Sequence, residues 1–102
     1  MESNINVLSP DEVARRLKTL EGWKYQQDTL SKELVFGNFS EAVEFVEKIA
    51  PFCNQIDHHP DIHIYYRRVV FELTTHSAGG KVTPLDFQVA MEIERLYRQD
   101  HT

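Results

Sequence analysis

Three histidines near the middle of the chain carry the clearest chemical signal in this sequence. His58 and His59 are adjacent and are followed by Pro60, and His76 ends an extended run further along. An imidazole has an ordinary pKa of about 6.5, so it can donate or accept a proton near neutral pH. The pattern therefore indicates general acid–base chemistry, in which a positioned group typically contributes about 10²–10⁴-fold to the rate.

A predicted β-hairpin would bring these histidines together. Two alternating segments flank a plausible two-residue turn at 67–68. If Tyr66 pairs with Val69, His59 lies directly opposite His76, with Cβ atoms roughly 5 Å apart. One small substrate could then contact both rings.

The same histidines also have plain structural interpretations, and the residues alone leave both open. His58 and His59 could be surface histidines at a helix end, and His76 could be a polar strand end. In the catalytic interpretation, Asp57 could orient one ring through its second nitrogen. His63 falls on the strand face opposite its apolar neighbours, so we expect it to be exposed.

A zinc site is a competing use of the cluster, because imidazole is a good zinc ligand. However, the spacing of the four histidines between His58 and His76 matches no zinc signature. Cys53 falls on an apolar helical stripe and is expected in the core. Acid–base chemistry is therefore preferred, and we expect neither a metal nor a cofactor.

Composition narrows the class of protein. The chain has 102 residues, a net charge of −5 and a single cysteine, which fits one domain over residues 1–102 without internal disulfides. The acidic balance disfavours direct nucleic-acid binding. No segment is apolar enough to cross a membrane, and the first residues lack signal-peptide character, so we expect a cytoplasmic protein.

The elements that must position the histidines can be predicted from capping and periodicity. Helices should begin at Ser9-Pro10, at Asn38 and at Thr83-Pro84. The second should continue, bent at Pro51, to about Gln55. A strand pair precedes it and the histidine hairpin follows it. The sequence predicts a two-layer α+β domain, with three helices on one face of a four-stranded antiparallel sheet in the order α-β-β-α-β-β-α.

The motif residues and their spacing resemble a known family, the pterin-4a-carbinolamine dehydratases, also known as dimerization cofactors of a hepatocyte nuclear factor. The likeness covers nearly the whole chain. The residues that carry it are Asp57, His58, His59, Pro60, Tyr66, Thr75, His76 and Asp86, with Trp23, Phe36, Phe39, Gly79 and Phe87 in support.

The resemblance implies an enzyme that removes water from 4a-hydroxytetrahydropterin to give quinonoid dihydropterin, in tetrahydrobiopterin recycling. It implies His58 and His76 as the general acid/base pair and His59 as a catalytic-site residue that mainly binds the pterin. Neighbouring residues are expected to contact the substrate, namely Asp57, Pro60, Asp61, Thr75, Ser77 and Gly79. The resemblance further implies a homodimer or homotetramer that needs no metal.

Two alternatives remain open at this point. The chain could be a non-catalytic module that binds another protein, in which case apolar residues of the last helix such as Met91 and Leu96 would matter more than the histidines. It could also be a dehydratase relative that acts on molybdopterin-type pterins.

Overall fold

The computed structural model describes residues 6–100, so the ends of the predicted domain and His101 lie outside the described residues. Its elements are α1 (Pro10–Leu17), β1 (Lys24–Gln26), β2 (Thr29–Val35), α2 (Phe39–Ile56), β3 (Asp61–Tyr65), β4 (Arg68–Leu73) and α3 (Pro84–Asp100). The strands form an antiparallel sheet in the order β1-β2-β4-β3. The predicted α+β class and element order are confirmed.

Helix starts follow from local capping chemistry. The Ser9 hydroxyl accepts from the N–H of Glu12, and the Asn38 side chain accepts from the N–H of Glu41. The Glu41 carboxylate in turn accepts from the N–H of Gly37, one residue before the cap. Helix α2 continues through Pro51 as one element, as predicted.

The core lies between the sheet and the helices. Alternate residues of β2 and β4 point toward the helices and are buried, whereas their neighbours face away from them. The core also takes one buried residue from α1 and several from α2 and α3. Strands β2 and β4 therefore form the centre of the sheet under the helical layer, through Leu30, Leu34, Val69, Phe71 and Leu73.

The turn of the second hairpin differs from the prediction by one residue. It comprises residues 66–67, with Tyr65 paired to Arg68, not residues 67–68. The resulting two-residue shift in pairing keeps the same side chains facing the core, so alternation cannot distinguish the two registers. The carbonyl of Arg67 accepts from the N–H of Phe36. This bond extends the β2–β4 contact and holds the turn in the observed register.

This shift removes the predicted opposition of His59 and His76. The β3–β4 ladder begins at the pair Asp61–Glu72, so both histidines lie beyond its paired residues. The expectation that a cross-strand pair holds the two rings together is therefore wrong.

No helix of the described residues 6–100 is long and apolar enough to cross a membrane.

Candidate active site

His58 is a buried histidine held by a carboxylate from a distant helix. Only 8% of its surface is exposed, and its Nε2 atom lies 2.6 Å from Oδ1 of Asp86, a fully buried residue near the start of α3. Because a carboxylate oxygen accepts, Nε2 carries the hydrogen of this bond. The second ring nitrogen, Nδ1, is then the atom that can exchange a proton.

The end of α2 delivers His58 to this position. Asp57 adopts a left-handed conformation (φ 54°, ψ 48°) that stops the helix. The N–H of His58 bonds to the carbonyl of Cys53, and the N–H of Asp57 bonds to that of Asn54. These are the two bonds of a Schellman turn. They turn the chain so that one histidine is buried and the next is exposed.

Asp86 is the centre of a buried hydrogen-bond network. Its Oδ2 atom accepts from the N–H of Thr83 at 2.9 Å and from the hydroxyl of Thr75 at 2.8 Å. Since the Thr75 hydroxyl donates to Asp86, its oxygen accepts from the Thr83 hydroxyl, 2.7 Å away. Both hydroxyl hydrogens therefore point along one chain of bonds, from Thr83 to Thr75 and from Thr75 to Asp86. These bonds fix the Asp86 carboxylate and with it the His58 ring.

Thr75 connects this network to the third histidine. Its carbonyl accepts from the N–H groups of Ala78 and Gly80 and so closes a tight turn that contains a short 3₁₀ segment, His76–Ala78. Gly79 ends this segment with a φ of 80°, a conformation that glycine adopts without strain. His58 and His76 are thus joined through Asp86 and Thr75, by a route that does not pass through the hairpin.

The other two histidines of the cluster are exposed. His59 contacts Asn54 with its Nε2 atom 2.9 Å from Oδ1, so the last turn of α2 orients its ring. His63 lies on the outer face of the sheet, 3.1 Å from Glu72, and the prediction of an exposed strand histidine is confirmed.

The residues predicted to contact substrate surround the histidines unevenly. Asp57, Asp61, Ser77 and Gly79 are exposed and Pro60 is half-buried, whereas Thr75 is buried with its hydroxyl engaged. Asp57 was expected to orient a ring. Within the part of the chain that the structure describes, it bonds to neither ring and instead caps α2.

Sequence reasoning did not identify the groups that orient the rings. Capping logic predicts Asp86 only as an acid at a helix start and Thr83 as the cap, and it predicts no role for Asn54 in holding His59. The signal for Asp86 was present in Thr83-Pro84-Leu85-Asp86, because an acid three residues after a helix cap can accept from the N–H of the cap, as Asp86 does from Thr83. Only the tertiary fold shows which way it faces.

No residues in this region are arranged to hold a metal. Among residues 6–100, no group of three or more His, Cys, Asp and Glu side chains could coordinate an ion. The arrangement instead offers one buried imidazole on a fixed carboxylate and two exposed imidazoles on adjoining turns. Imidazoles can donate and accept protons near neutral pH, which is the chemistry of general acid–base catalysis.

The chain is similar to known proteins of one family. A family model described as Pterin 4 alpha carbinolamine dehydratase matches residues 6–96. A protein of Sulfolobus acidocaldarius, provisionally named pterin-4-alpha-carbinolamine dehydratase, is 51% identical over 89 residues, which cover 87% of this chain and 97% of that protein. A Mycolicibacterium smegmatis protein with the same provisional name is 42% identical over 90 residues, covering 88% and 95%.

A solved structure shares the fold. The Brucella melitensis protein titled transcriptional coactivator/pterin dehydratase has a TM-score of 0.83 and 32% sequence identity to this chain. The match covers 88% of this chain and 97% of that one.

Proposed function

The chain belongs to the pterin-4a-carbinolamine dehydratase family, and from that premise we propose that it removes water from a 4a-hydroxytetrahydropterin. The observation that carries the proposal is the linked arrangement of His58, Asp86, Thr75 and His76. The substrate we propose is 4a-hydroxytetrahydrobiopterin, within tetrahydrobiopterin recycling in the cytoplasm. A molybdopterin-type pterin is the alternative substrate.

The reaction requires two proton movements. One group protonates the hydroxyl on C4a, the C–O bond breaks, and water leaves. A second group takes the proton from N5 as the C4a–N5 double bond of the quinonoid product forms. No electrons are gained or lost overall, so an acid and a base suffice.

We assign these movements to His58 and His76. The bond from Nε2 of His58 to Asp86 leaves Nδ1 to exchange the proton and places a carboxylate beside the ring as it becomes charged. His76 is exposed on a turn that the carbonyl of Thr75 closes, so its ring is accessible to a ligand and serves as the second proton-transfer group. The exposed His59 binds and orients the pterin ring.

Replacement of single histidines tests the assignment. We expect His58→Ala and His76→Ala each to lower kcat by about 10²-fold or more while far-UV circular dichroism is unchanged. His63→Ala is the matched control, because that histidine is exposed on the outer sheet face. Near-normal turnover in both site variants would reject the proposal.

The proposed role of His59 gives a different kinetic signature. A group that holds the substrate equally in the ground and transition states affects KM and leaves kcat unchanged. His59→Gln should therefore raise KM several-fold with kcat near that of the unchanged protein. A collapse of kcat in this variant would instead place His59 in the chemical step.

A second function is supported by one surface feature. Met91 of α3 exposes 59% of its surface, and the related Brucella melitensis structure is titled a coactivator as well as a dehydratase. We propose that the protein forms a homodimer or homotetramer and that this surface also binds another protein. Size-exclusion chromatography with light scattering, on the protein and on Met91→Lys, tests this.

A further inference from the structure

The turn that carries His76 is held at its base. Thr75 and Lys81 form an isolated antiparallel bridge, with 2.9 Å from the N–H of Thr75 to the carbonyl of Lys81. Inside the turn, a β-carbon added to Gly79 or Gly80 would meet no atom within 4 Å. Packing among the described residues does not restrain the turn on its glycine side, so the position of His76 depends on how the two ends are fixed.

Both ends are attached to one residue of the β1–β2 turn. The hydroxyl of Thr74 donates to the carbonyl oxygen of Asp28 at 2.9 Å, and the Nζ atom of Lys81 lies 3.0 Å from Oδ2 of Asp28. Asp28 has a φ of 60°, a left-handed conformation that aspartate and asparagine tolerate better than most residues. One aspartate thus holds the entry and the exit of the His76 turn.

We propose that Asp28 is a positioning residue for His76, an inference that rests on the dehydratase activity proposed above. The side chains of Asp28 and Lys81 are both nearly half exposed, so their ion pair adds little to folding stability. Placement of a reacting group is far more sensitive, since a displacement of about 1 Å can lower a rate by about 10²-fold. Loss of the attachment should therefore affect turnover much more than stability.

Two substitutions remove the ion pair with little change in shape. Asp28→Asn keeps the carbonyl that Thr74 uses and tolerates the same φ, and Lys81→Met keeps an unbranched apolar chain without the ammonium group. We expect each to lower kcat by about 3–10-fold, with KM within about twofold, because His76 is displaced while the pterin is held by other groups. Lys81→Arg should retain nearly full activity.

A matched ion pair on the same sheet supplies the control. Glu33 and Arg68 lie 2.9 Å apart with similar exposure to Asp28 and Lys81, but they hold no catalytic turn. Glu33→Gln should leave kcat unchanged. Salt gives an independent readout: at 1 M the screening length falls to about 3 Å, so kcat of the unchanged protein should approach that of Asp28→Asn.

The outcomes separate this inference from the proposed function. If Asp28→Asn and Lys81→Met turn over as fast as Glu33→Gln while His76→Ala is inactive, Asp28 does not position His76 and the dehydratase proposal stands. Lower thermal stability in these variants with an unchanged kcat would overturn the inference in the same way. Full activity of His76→Ala would overturn both.

Discussion

Nε2 of His58 lies 2.6 Å from Oδ1 of Asp86, although the two residues belong to different elements and are 28 positions apart in the chain. The bond joins the end of α2 to the start of α3, and Asp86 also accepts from Thr75, the residue before His76. It selects one tautomer of the ring and holds its orientation. Asp86 therefore determines which ring nitrogen of His58 carries the hydrogen and which one is left to exchange a proton.

Asp86→Asn should inactivate the protein at a moderate cost in stability. An amide that turns its oxygen toward Thr83 and Thr75 presents an NH₂ group to His58 and reverses the ring tautomer. We expect kcat to fall by about 10²–10⁴-fold and the free energy of unfolding to fall by about 1–3 kcal/mol. Steady-state kinetics and urea unfolding measure the two effects. An active Asp86→Asn would show that the carboxylate only supports folding.

Thr75→Val should weaken the same network from its other side. The substitution keeps the shape but removes the hydroxyl that donates to Asp86 and accepts from Thr83. We expect a stability loss of about 1–3 kcal/mol, because two buried partners lose a bond, together with a clear fall in kcat. Thr75→Ser, which keeps the hydroxyl, is the control and should lie near the unchanged protein in both urea unfolding and kinetics. Equal behaviour of the two variants would contradict the network.

Removal of Lys32 should destabilise the protein, because its ammonium group compensates the charge of the buried Glu94 carboxylate. Lys32 Nζ lies 2.6 Å from Glu94 Oε2, which also accepts from the indole N–H of Trp23. Lys32→Met leaves this buried carboxylate without its cation, and we expect unfolding free energy to fall by about 3–5 kcal/mol.

The control for Lys32→Met is Lys48→Met, which breaks the exposed pair with Asp100 and should cost at most about 1 kcal/mol. Urea unfolding of both variants gives the comparison. Similar losses of unfolding free energy would mean that removing the cation beside the buried Glu94 costs no more than removing one from an exposed pair. Lys32→Met/Glu94→Gln should recover part of the loss, because it removes the uncompensated charge.

Cys53 should make folding stability fall at alkaline pH. Burial in the core, with a smaller effect of the Glu92 charge, raises the pKa of its thiol to about 11 from an ordinary value of 9.0. The unfolded thiol thus loses its proton first as the pH rises from about 9 to about 11. Stability should decline there by up to about 1.4 kcal/mol per pH unit more than in Cys53→Ala. Urea unfolding from pH 8 to 11 measures this difference, and parallel curves for the two proteins would contradict it.

Tyr66→Asn should stabilise the protein despite removing an aromatic ring. Tyr66 is 70% exposed and has a φ of 59°, a conformation that costs roughly 1–2 kcal/mol for most residues and less for asparagine. We expect the thermal midpoint to rise by a few degrees. Tyr65→Asn, at a strand position with ordinary backbone, should lower it instead. A lower midpoint for Tyr66→Asn would mean that the exposed ring makes a contact worth more than the strain.

Local features of the sequence predicted the elements well because their causes are local. Ser9 and Asn38 cap their helices through residues three positions away, and alternation in the strands depends only on which face is buried. The element order followed from such signals, and the proposed catalytic histidines were chosen from them and from the family resemblance.

The arrangement of the site depended on contacts that local signals do not specify. A two-residue shift of the hairpin leaves its apolar face unchanged, so the sequence could not exclude it. The observed register is the one in which the backbone of Arg67 bonds to that of Phe36. The direction of the Asp86 side chain was likewise set by distant partners. Alternation and capping predict which residues are buried, but they do not predict which polar groups meet.

The strand order β1-β2-β4-β3 has a consequence for folding. Each hairpin can form locally, but the central pair, in which Leu30 lies opposite Leu73, joins segments separated by α2 and β3. Such distant closure is slow, because chain entropy is lost before the contacts are gained. The hydrogen bond from the Thr74 hydroxyl to the Asp28 carbonyl joins the same two segments, so it can form only when they meet. A refolding chain should therefore gain helix and hairpin signals before it gains the proposed dehydratase activity, which requires the central strand pair to form.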